Sequence, residues 1–226
     1  MATKVGILAS GSGTTAEAFA QSIDSGEISG IEIAVIVHNN PNAGIIDQPT
    51  IKKLGVPTVC INTANTSNPG DTLPPRGEVS KEESRVIAKE LDKHEVKLVL
   101  LLGYMKKVDG ELLDQCGFNP DRHNYATDTR MLNLHPGPLP QTAGLHGEAV
   151  HEKSYKLYQQ GNLAEVGPTL HAVAAGYDTG PEFSGFSRYT IKPSDTVGDV
   201  EDNVRLIERT EIGPLVAQFA AKAHLQ

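Results

Sequence analysis

The sequence has few cysteines and no long apolar run, and each shortage excludes a class of protein. Its two cysteines, Cys60 and Cys116, form no CxxC pair or Cys/His metal-binding spacing, so we expect neither a disulfide framework nor a zinc site. No stretch reaches the roughly 18 apolar residues of a membrane span, and the N-terminus lacks the features of a secretion signal. We therefore expect a soluble, cytoplasmic protein with no membrane partner, which stands alone from Met1.

Basic residues are also in deficit. The 20 lysines and arginines face 28 acidic residues, which gives a formal net charge of -8. A negative surface repels the phosphate backbone of DNA and RNA, which argues against a nucleic-acid partner. An anionic ligand would have to be held by local geometry.

The first hundred residues alternate two kinds of pattern. Continuous apolar runs, typical of strands covered on both faces, occupy residues 4–9, 31–37, 56–61 and 96–102. Helical spacing occupies residues 14–24, 43–54 and 80–94, the last with Ser80 as a candidate N-cap and Glu83 three residues on. This series predicts an α/β fold, a doubly wound, Rossmann-like, mostly parallel sheet with helices on both faces.

The rest of the chain is consistent with one domain over residues 1–226, a monomer or a homodimer. Two long loops are predicted at 62–78, as an insertion more than a lid, and at 116–130. The apolar run at 131–135 predicts a further strand. The remaining predicted elements are a helix at 147–161, β-like runs at 168–176 and 184–191, and a helix from about Val197.

A glycine-rich turn follows the first strand. Gly11, Gly13 and Ala16 stand in a G-x-G-x-x-A spacing at the start of a helix, where backbone N–H groups can bind phosphate. The glycines could also serve only to make the turn. The second strand ends in "VIVHNN" without the carboxylate of a dinucleotide site, and the turn lacks a P-loop lysine. The hydroxyls of Thr14 and Thr15 favour one terminal phosphate.

Polar side chains end the strand "MLNLH". Asn133 and His135 are two residues apart and so lie on one face, while His171 and Asp178 stand on a later β-like run and a glycine-flanked turn. An amide, an imidazole and a carboxylate that meet at strand ends are typical of a site in an α/β sheet. Each also has a structural alternative. Asn133 could hydrogen-bond to backbone groups at the strand end, His135 could be a core histidine, and Asp178 could be an ordinary turn residue.

These segments resemble a known family. "LNLHPGPLP", the "GLHG" that contains His146, "TLHAVAAGYDTGP" and the turn "SGSGTT" are together similar to the folate-dependent formyltransferases, and the resemblance runs from Lys4 to about Phe219. It implies formyl transfer from 10-formyltetrahydrofolate, and the turn points to members that formylate glycinamide ribonucleotide in purine synthesis. It implies small-molecule substrates and no metal.

The resemblance also implies roles by position. Residues 1–104 would form a phosphate-binding half and residues 105–226 a catalytic and folate-binding half. The implied residues are Asn133, His135 and Asp178 in catalysis, His171 and Gly144 in support, Gly13, Thr14 and Thr15 at the phosphate, and Met105, Lys106, Lys107 and Val108 at the folate.

Formyl transfer gives this trio a chemical purpose. An amine that attacks the formyl carbon creates an oxyanion, which fixed hydrogen-bond donors stabilise. We expect those donors to be the Asn133 amide and a protonated His135. We expect Asp178 to favour the charged imidazole and to position a water that moves the proton to the leaving nitrogen.

Two positions depart from the family pattern. Lys81 follows Ser80 where the family has an arginine that contacts folate, and Arg209, five residues before Pro214, stands where the family has an acid for the glycinamide substrate. Glu208 could replace that acid if the register shifts by one. A formyltetrahydrofolate hydrolase, another amine formyltransferase and a catalytically idle nucleotide-binding protein therefore remain alternatives.

Overall fold

The computed structural model describes residues 2–67, 70, 72–121, 128–183 and 185–223. Its strands are β1 (Thr3–Ala9), β2 (Ile31–His38), β3 (Thr58–Cys60), β4 (Leu98–Leu101), β5 (Met131–His135), β6 (Glu165–Val166), β7 (Thr169–Ala172), β8 (Glu182–Phe183) and β9 (Tyr189–Thr190). Its α-helices are α1 (Thr14–Asp24), α2 (Pro49–Lys53), α3 (Thr63–Thr66), α4 (Lys81–Lys93), α5 (Gly110–Cys116), α6 (Glu148–Gln159) and α7 (Val197–Lys222). No helix within the described ranges is both long and apolar enough to cross a membrane.

One sheet organises the molecule. Its seven strands run in the order β3-β2-β1-β4-β5-β7-β8. Strands β1 to β5 pair in parallel, whereas β7 pairs antiparallel with β5 and β8. The prediction of a mostly parallel, doubly wound sheet is confirmed. The strand order reverses between β1 and β4, and ligands bind such sheets at the carboxyl ends of the strands beside this reversal.

Both faces of the sheet are buried, as the apolar runs predict. On β1 the fully buried Val5 and Ile7 point into a core that contains Phe19 of α1, and Leu8 points into the opposite core beside Leu91 of α4. Burial of each such side chain stabilises the fold by about 1.5–3 kcal/mol. The sheet is therefore a rigid platform for groups at its edge.

One predicted helix is broken in two. Residues 43–54 form a 3₁₀ turn, Gly44–Asp47, followed by α2, with Gln48 extended between them at φ -64° and ψ 128°. The cause is Pro49, whose ring disfavours helical backbone in the residue before it. The prediction of one helix over this range was wrong. By contrast, α4 begins as predicted, because the Ser80 side chain accepts a hydrogen bond from the Glu83 amide.

Three of the other predicted segments also differ. Among the described residues 185–191 of the predicted β-like run at 184–191, only the two-residue strand β9 forms, and it pairs with β6 in a separate sheet. Glu182–Phe183 pairs with β7 instead. Loop 62–78 contains α3, which is capped by Asn62. A β-bridge between Glu78 and Lys107 joins this loop to the loop between β4 and α5. In the predicted loop 116–130, Cys116 still belongs to α5, and residues 122–127 lie outside the described part of the chain.

Candidate active site

A cavity of about 420 Å³ opens at the carboxyl ends of β1, β4 and β5. Its size is that of a small-molecule site. Its walls are the glycine turn at residues 11–15, the segment 101–108, the end of β5 at 133–136, the turn 144–147 and the Asp178 turn with one face of α7. The cavity therefore lies at the strand ends, where the sequence predicts a site.

Asn133, His171 and Asp178 form a triangle of polar atoms in this cavity. Asn133 and His171 face each other across the β5–β7 register. The Asn133 Nδ2 atom lies 3.0 Å from His171 Nε2 and 3.3 Å from Asp178 Oδ1, and His171 Nε2 lies 3.3 Å from the same carboxylate oxygen.

The other ring nitrogen of His171 determines which atoms of the triangle donate hydrogen bonds and which accept them. His171 Nδ1 lies 2.9 Å from the Ala172 carbonyl, which can only accept a hydrogen bond, so Nδ1–H is the donor. In the neutral ring Nε2 is then an acceptor, and the Asn133 amide must present its NH₂ group to it. His171 therefore orients Asn133 as a donor.

Asp178 enters the cavity from a strained turn. Its backbone has a positive φ of 52°, which aspartate tolerates better than most residues. Burial alone would raise the pKa of Asp178, but the adjacent His171 imidazole, the hydrogen bond from the Gly144 N–H and the nearby His135 imidazole outweigh burial and hold that pKa below its ordinary value. The Gly144 N–H donates to Oδ2 at 2.9 Å. Asp178 is thus a fixed carboxylate anion at neutral pH.

His135 lies on the other side of that carboxylate, with Nδ1 3.6 Å from Asp178 Oδ2. The ring is only 2% exposed, and this burial lowers the pKa of His135 from 6.5 to about 4, although Asp178 acts in the opposite direction. The expectation of a protonated His135 is therefore corrected: the imidazole is neutral at neutral pH. The sequence indicated the carboxylate but not the depth of burial.

The glycine turn presents the first turn of α1 to the cavity. Gly13 is the N-cap residue with φ 75°, and Gly13, Thr14 and Thr15 all line the cavity. The free N–H groups and the positive end of a helix dipole at such a position suit an anion.

The turn depends on the absence of a side chain at Gly13. A Cβ atom there would lie 2.7 Å from the Ile45 Cα atom, and the positive φ would be strained. Gly13→Ala should therefore destabilise the fold by about 2–4 kcal/mol, measured by urea unfolding. Gly11→Ala is the control, because its Cβ would meet nothing within 4 Å. Equal stability of the two variants would contradict this account of the turn.

The segment predicted to bind folate lines the cavity, but its two lysines differ in whether their charge is already paired. Met105, Lys107 and Val108 border the space directly. Lys106 contributes to the wall, yet its ammonium group is bound to the fully buried Glu83 at 2.7 Å, so its charge is already neutralised. Lys81 is exposed at the start of α4 and does not line the cavity, so the structure does not support it as a contact there.

Glu208, and not Arg209, faces the cavity. The Glu208 side chain is buried on α7 and accepts a hydrogen bond from Thr15 Oγ1 at 3.5 Å. Arg209 borders a separate groove on the outer side of α1. Burial raises the pKa of Glu208 from 4.5 to about 7, against the opposing charges of Arg205 and Arg209. A carboxylate thus stands beside the glycine turn, one residue before the position where the family pattern places it.

The raised pKa makes a prediction about stability. The folded state holds the Glu208 proton up to about pH 7 while the unfolded chain releases it near 4.5, so stability falls as pH rises between these values. Glu208→Gln stays neutral throughout. Its stability relative to the parent should rise by up to about 3 kcal/mol from pH 4 to pH 8, measured by denaturant unfolding. Asp202→Asn removes an exposed carboxylate from the same helix, and a similar gain in that control would refute the assignment.

Several cavity residues were not predicted from the sequence. On α7, Glu201 lies two turns and Arg205 one turn before Glu208, and their i, i+4 and i+7 spacing could have revealed them. His151 of α6 is buried beside them, and burial lowers its pKa. It had no sequence motif to mark it. No group of three or more His, Cys, Asp or Glu side chains in the described part of the chain could hold a metal ion.

Comparisons with known proteins agree with this architecture. A family model described as formyl transferase matches residues 3–214. Solved structures of a glycinamide ribonucleotide transformylase from Symbiobacterium toebii and a phosphoribosylglycinamide formyltransferase from Bacillus halodurans are 27% and 25% identical, each with a TM-score of 0.74. The alignments cover 97% and 98% of this chain and 88% and 97% of those chains, respectively.

Curated relatives of different lengths also match this chain. A chloroplastic phosphoribosylglycinamide formyltransferase of Arabidopsis thaliana is 28% identical over 78% of this chain, and a trifunctional purine biosynthetic protein of Gallus gallus is 26% identical over 99%. The matched region spans 52% of the first protein and 19% of the second. The phosphoribosylglycinamide formyltransferase of Bacillus subtilis is 25% identical, with 96% of this chain and 94% of that protein covered.

Proposed function

The chain belongs to the formyl transferase family, and on that premise we propose that it transfers a formyl group from 10-formyltetrahydrofolate to the amine of glycinamide ribonucleotide, a step of purine biosynthesis. The observation that carries the proposal is the convergence of Asn133, His135 and Asp178 in one cavity that is also lined by the glycine turn at Gly13, Thr14 and Thr15. The relatives named above support the same acceptor. Cys60 and Cys116 are free thiols, which fits the cytoplasm as the compartment.

Each substrate would occupy its own region of the cavity. The ribonucleotide phosphate would bind at Gly13, Thr14 and Thr15, with Glu208 beside the ribose or the amine. The folate would lie along residues 105–108, where the half-exposed Met105 offers an apolar surface. Asn133, His135 and Asp178 line the same cavity as these two regions, so the amine and the formyl carbon would meet beside them.

Asn133 would stabilise the charge that forms in the reaction. When the amine nitrogen bonds to the formyl carbon, the carbonyl oxygen becomes an oxyanion. One Asn133 N–H is held by His171 at 3.0 Å, and the second makes the longer 3.3 Å contact with Asp178. The oxyanion would replace this longer contact and receive a charge-assisted hydrogen bond.

His135 and Asp178 would move the proton. The amine that attacks must lose a proton, and the folate nitrogen must gain one as its bond to the formyl carbon breaks. A neutral His135 can accept the first proton, and the fixed carboxylate of Asp178 stabilises the resulting cation. The proton then passes to the folate nitrogen, and the enzyme returns to its starting state.

The test is a folate assay with and without the acceptor. We expect deformylated folate to appear, by its absorbance, only when glycinamide ribonucleotide is present. Release of deformylated folate without an acceptor would instead establish a hydrolase. Absence of product under both conditions would overturn the proposal and favour a nucleotide-binding protein without this activity.

A further inference from the structure

Thr142 lies behind the His135 ring, outside the cavity. Its side chain is fully buried. The Thr142 Oγ1 atom is 2.7 Å from the Pro138 carbonyl oxygen and 2.9 Å from His135 Nε2. Thr142 does not line the cavity, so it contacts neither proposed substrate region.

These two distances fix the position of one proton. A carbonyl oxygen can only accept, so the 2.7 Å contact requires the Thr142 hydroxyl to donate to Pro138. That hydroxyl has no second proton, so the contact with His135 requires the ring Nε2–H to donate to Thr142. In the neutral imidazole, Nδ1 is then the unprotonated nitrogen.

The unprotonated Nδ1 faces the carboxylate. It lies 3.6 Å from Asp178 Oδ2, and two acceptors at this distance form no hydrogen bond with each other. Together they are suited to receive a proton from a third group, such as an N–H of the bound amine or a bridging water.

We propose that Thr142 is a positioning residue that holds His135 as its Nε2–H tautomer, so that Nδ1 is the atom that takes the proton during formyl transfer. The N–H bond of the attacking amine breaks, an Nδ1–H bond forms, and the ring cation then faces Asp178 until the proton passes to the folate nitrogen. The catalytic half of this statement rests on the proposed function. The tautomer does not, and it can be tested without substrates.

Without the Thr142 hydroxyl, the other tautomer of His135 would be favoured. A buried Nε2–H that has lost its acceptor is costly, whereas an Nδ1–H can donate to Asp178. Thr142→Val keeps the shape of the side chain but removes the hydroxyl, and should convert His135 mainly to the Nδ1–H tautomer. Thr142→Ser keeps the hydroxyl and should retain the parent tautomer.

Thr169 supplies a matched control. It is also buried, and its hydroxyl donates to the carbonyl of Gly137 in the same turn, at 2.8 Å. Thr169→Val therefore removes a similar hydroxyl–carbonyl bond without removing the acceptor of His135 Nε2–H. Both valine variants should lose stability, but only Thr142→Val should change the tautomer.

The experiment is nitrogen NMR of the full chain labelled in its histidines, with the His135 signals identified by their loss in His135→Asn. The chemical shifts of the two ring nitrogens distinguish the tautomers directly. We expect Nε2–H in the parent, Thr142→Ser and Thr169→Val, and mainly Nδ1–H in Thr142→Val. A doubly protonated or Nδ1–H ring in the parent, or an unchanged tautomer in Thr142→Val, would overturn the proposal.

Formyl transfer provides the second measurement. Thr142→Val should lower kcat by about 100-fold with little change in KM, because the nitrogen that takes the proton would already carry one, and Thr142→Ser should restore most of the rate. If the parent shows no formyl transfer, the proposed function fails while the NMR result still decides the tautomer. A changed tautomer with an unchanged kcat would overturn the catalytic half of the proposal.

Discussion

Asp178→Asn is expected to lower kcat for formyl transfer by about 1,000-fold or more while the protein stays folded. The substitution keeps the shape of the side chain and an oxygen that can accept the Gly144 N–H. It removes the negative charge beside His135, so the imidazolium that forms during proton transfer loses its counter-ion. Steady-state kinetics with both substrates measures the effect.

The control for this variant is Asp195→Asn. Asp195 is also a turn aspartate and accepts the backbone N–H of Lys192 at 2.8 Å, but it lies away from the cavity. Its variant should keep the parent kcat. If Asp178→Asn retained even a tenth of the parent rate, the carboxylate would not have the role assigned to it.

Asn133→Ala is expected to lower kcat by about 100-fold or more, with a smaller effect on KM. The amide makes its best hydrogen bond only after the oxyanion has formed, and loss of one such donor typically removes about 3 kcal/mol of transition-state stabilisation. Initial rates over a range of both substrates separate kcat from KM. A rise in KM at constant kcat would show that Asn133 only binds substrate.

His171 provides the companion experiment. Because His171 acts through the amide that it orients at 3.0 Å, His171→Ala should cost less than Asn133→Ala. The double variant should be little worse than Asn133→Ala alone, since both changes remove the same donor. Additive losses would mean that His171 has a separate role.

Much of the fold was predictable because its determinants are local. The apolar run of β1 requires cover on both faces, and Gly13 marks a turn that a side chain would block. Asn133 and His135 share a face because side chains alternate along a strand. The break before Pro49 was equally local, since the residue before a proline avoids helix, and it was missed because the helical spacing continued across it.

What could not be predicted depends on contacts between distant segments. Lys106 is neutralised by Glu83, which lies on another element, so the sequence alone presents it as a free cation. Burial makes His135 neutral, but the sequence indicates only its proximity to Asp178. Thr142 lies in a turn without a motif, and only the path of the chain places its hydroxyl against the ring. Charge state and proton position therefore required the three-dimensional structure.

Every role proposed for the cavity residues requires that a formyl group pass there from the folate to the ribonucleotide amine. The most direct test supplies 10-formyltetrahydrofolate with an isotopically labelled formyl carbon and analyses the ribonucleotide product by mass spectrometry. We expect labelled formylglycinamide ribonucleotide from the parent and at least about 1,000-fold less per unit time from Asp178→Asn. Label recovered as free formate, or equal label transfer by the two proteins, would contradict it.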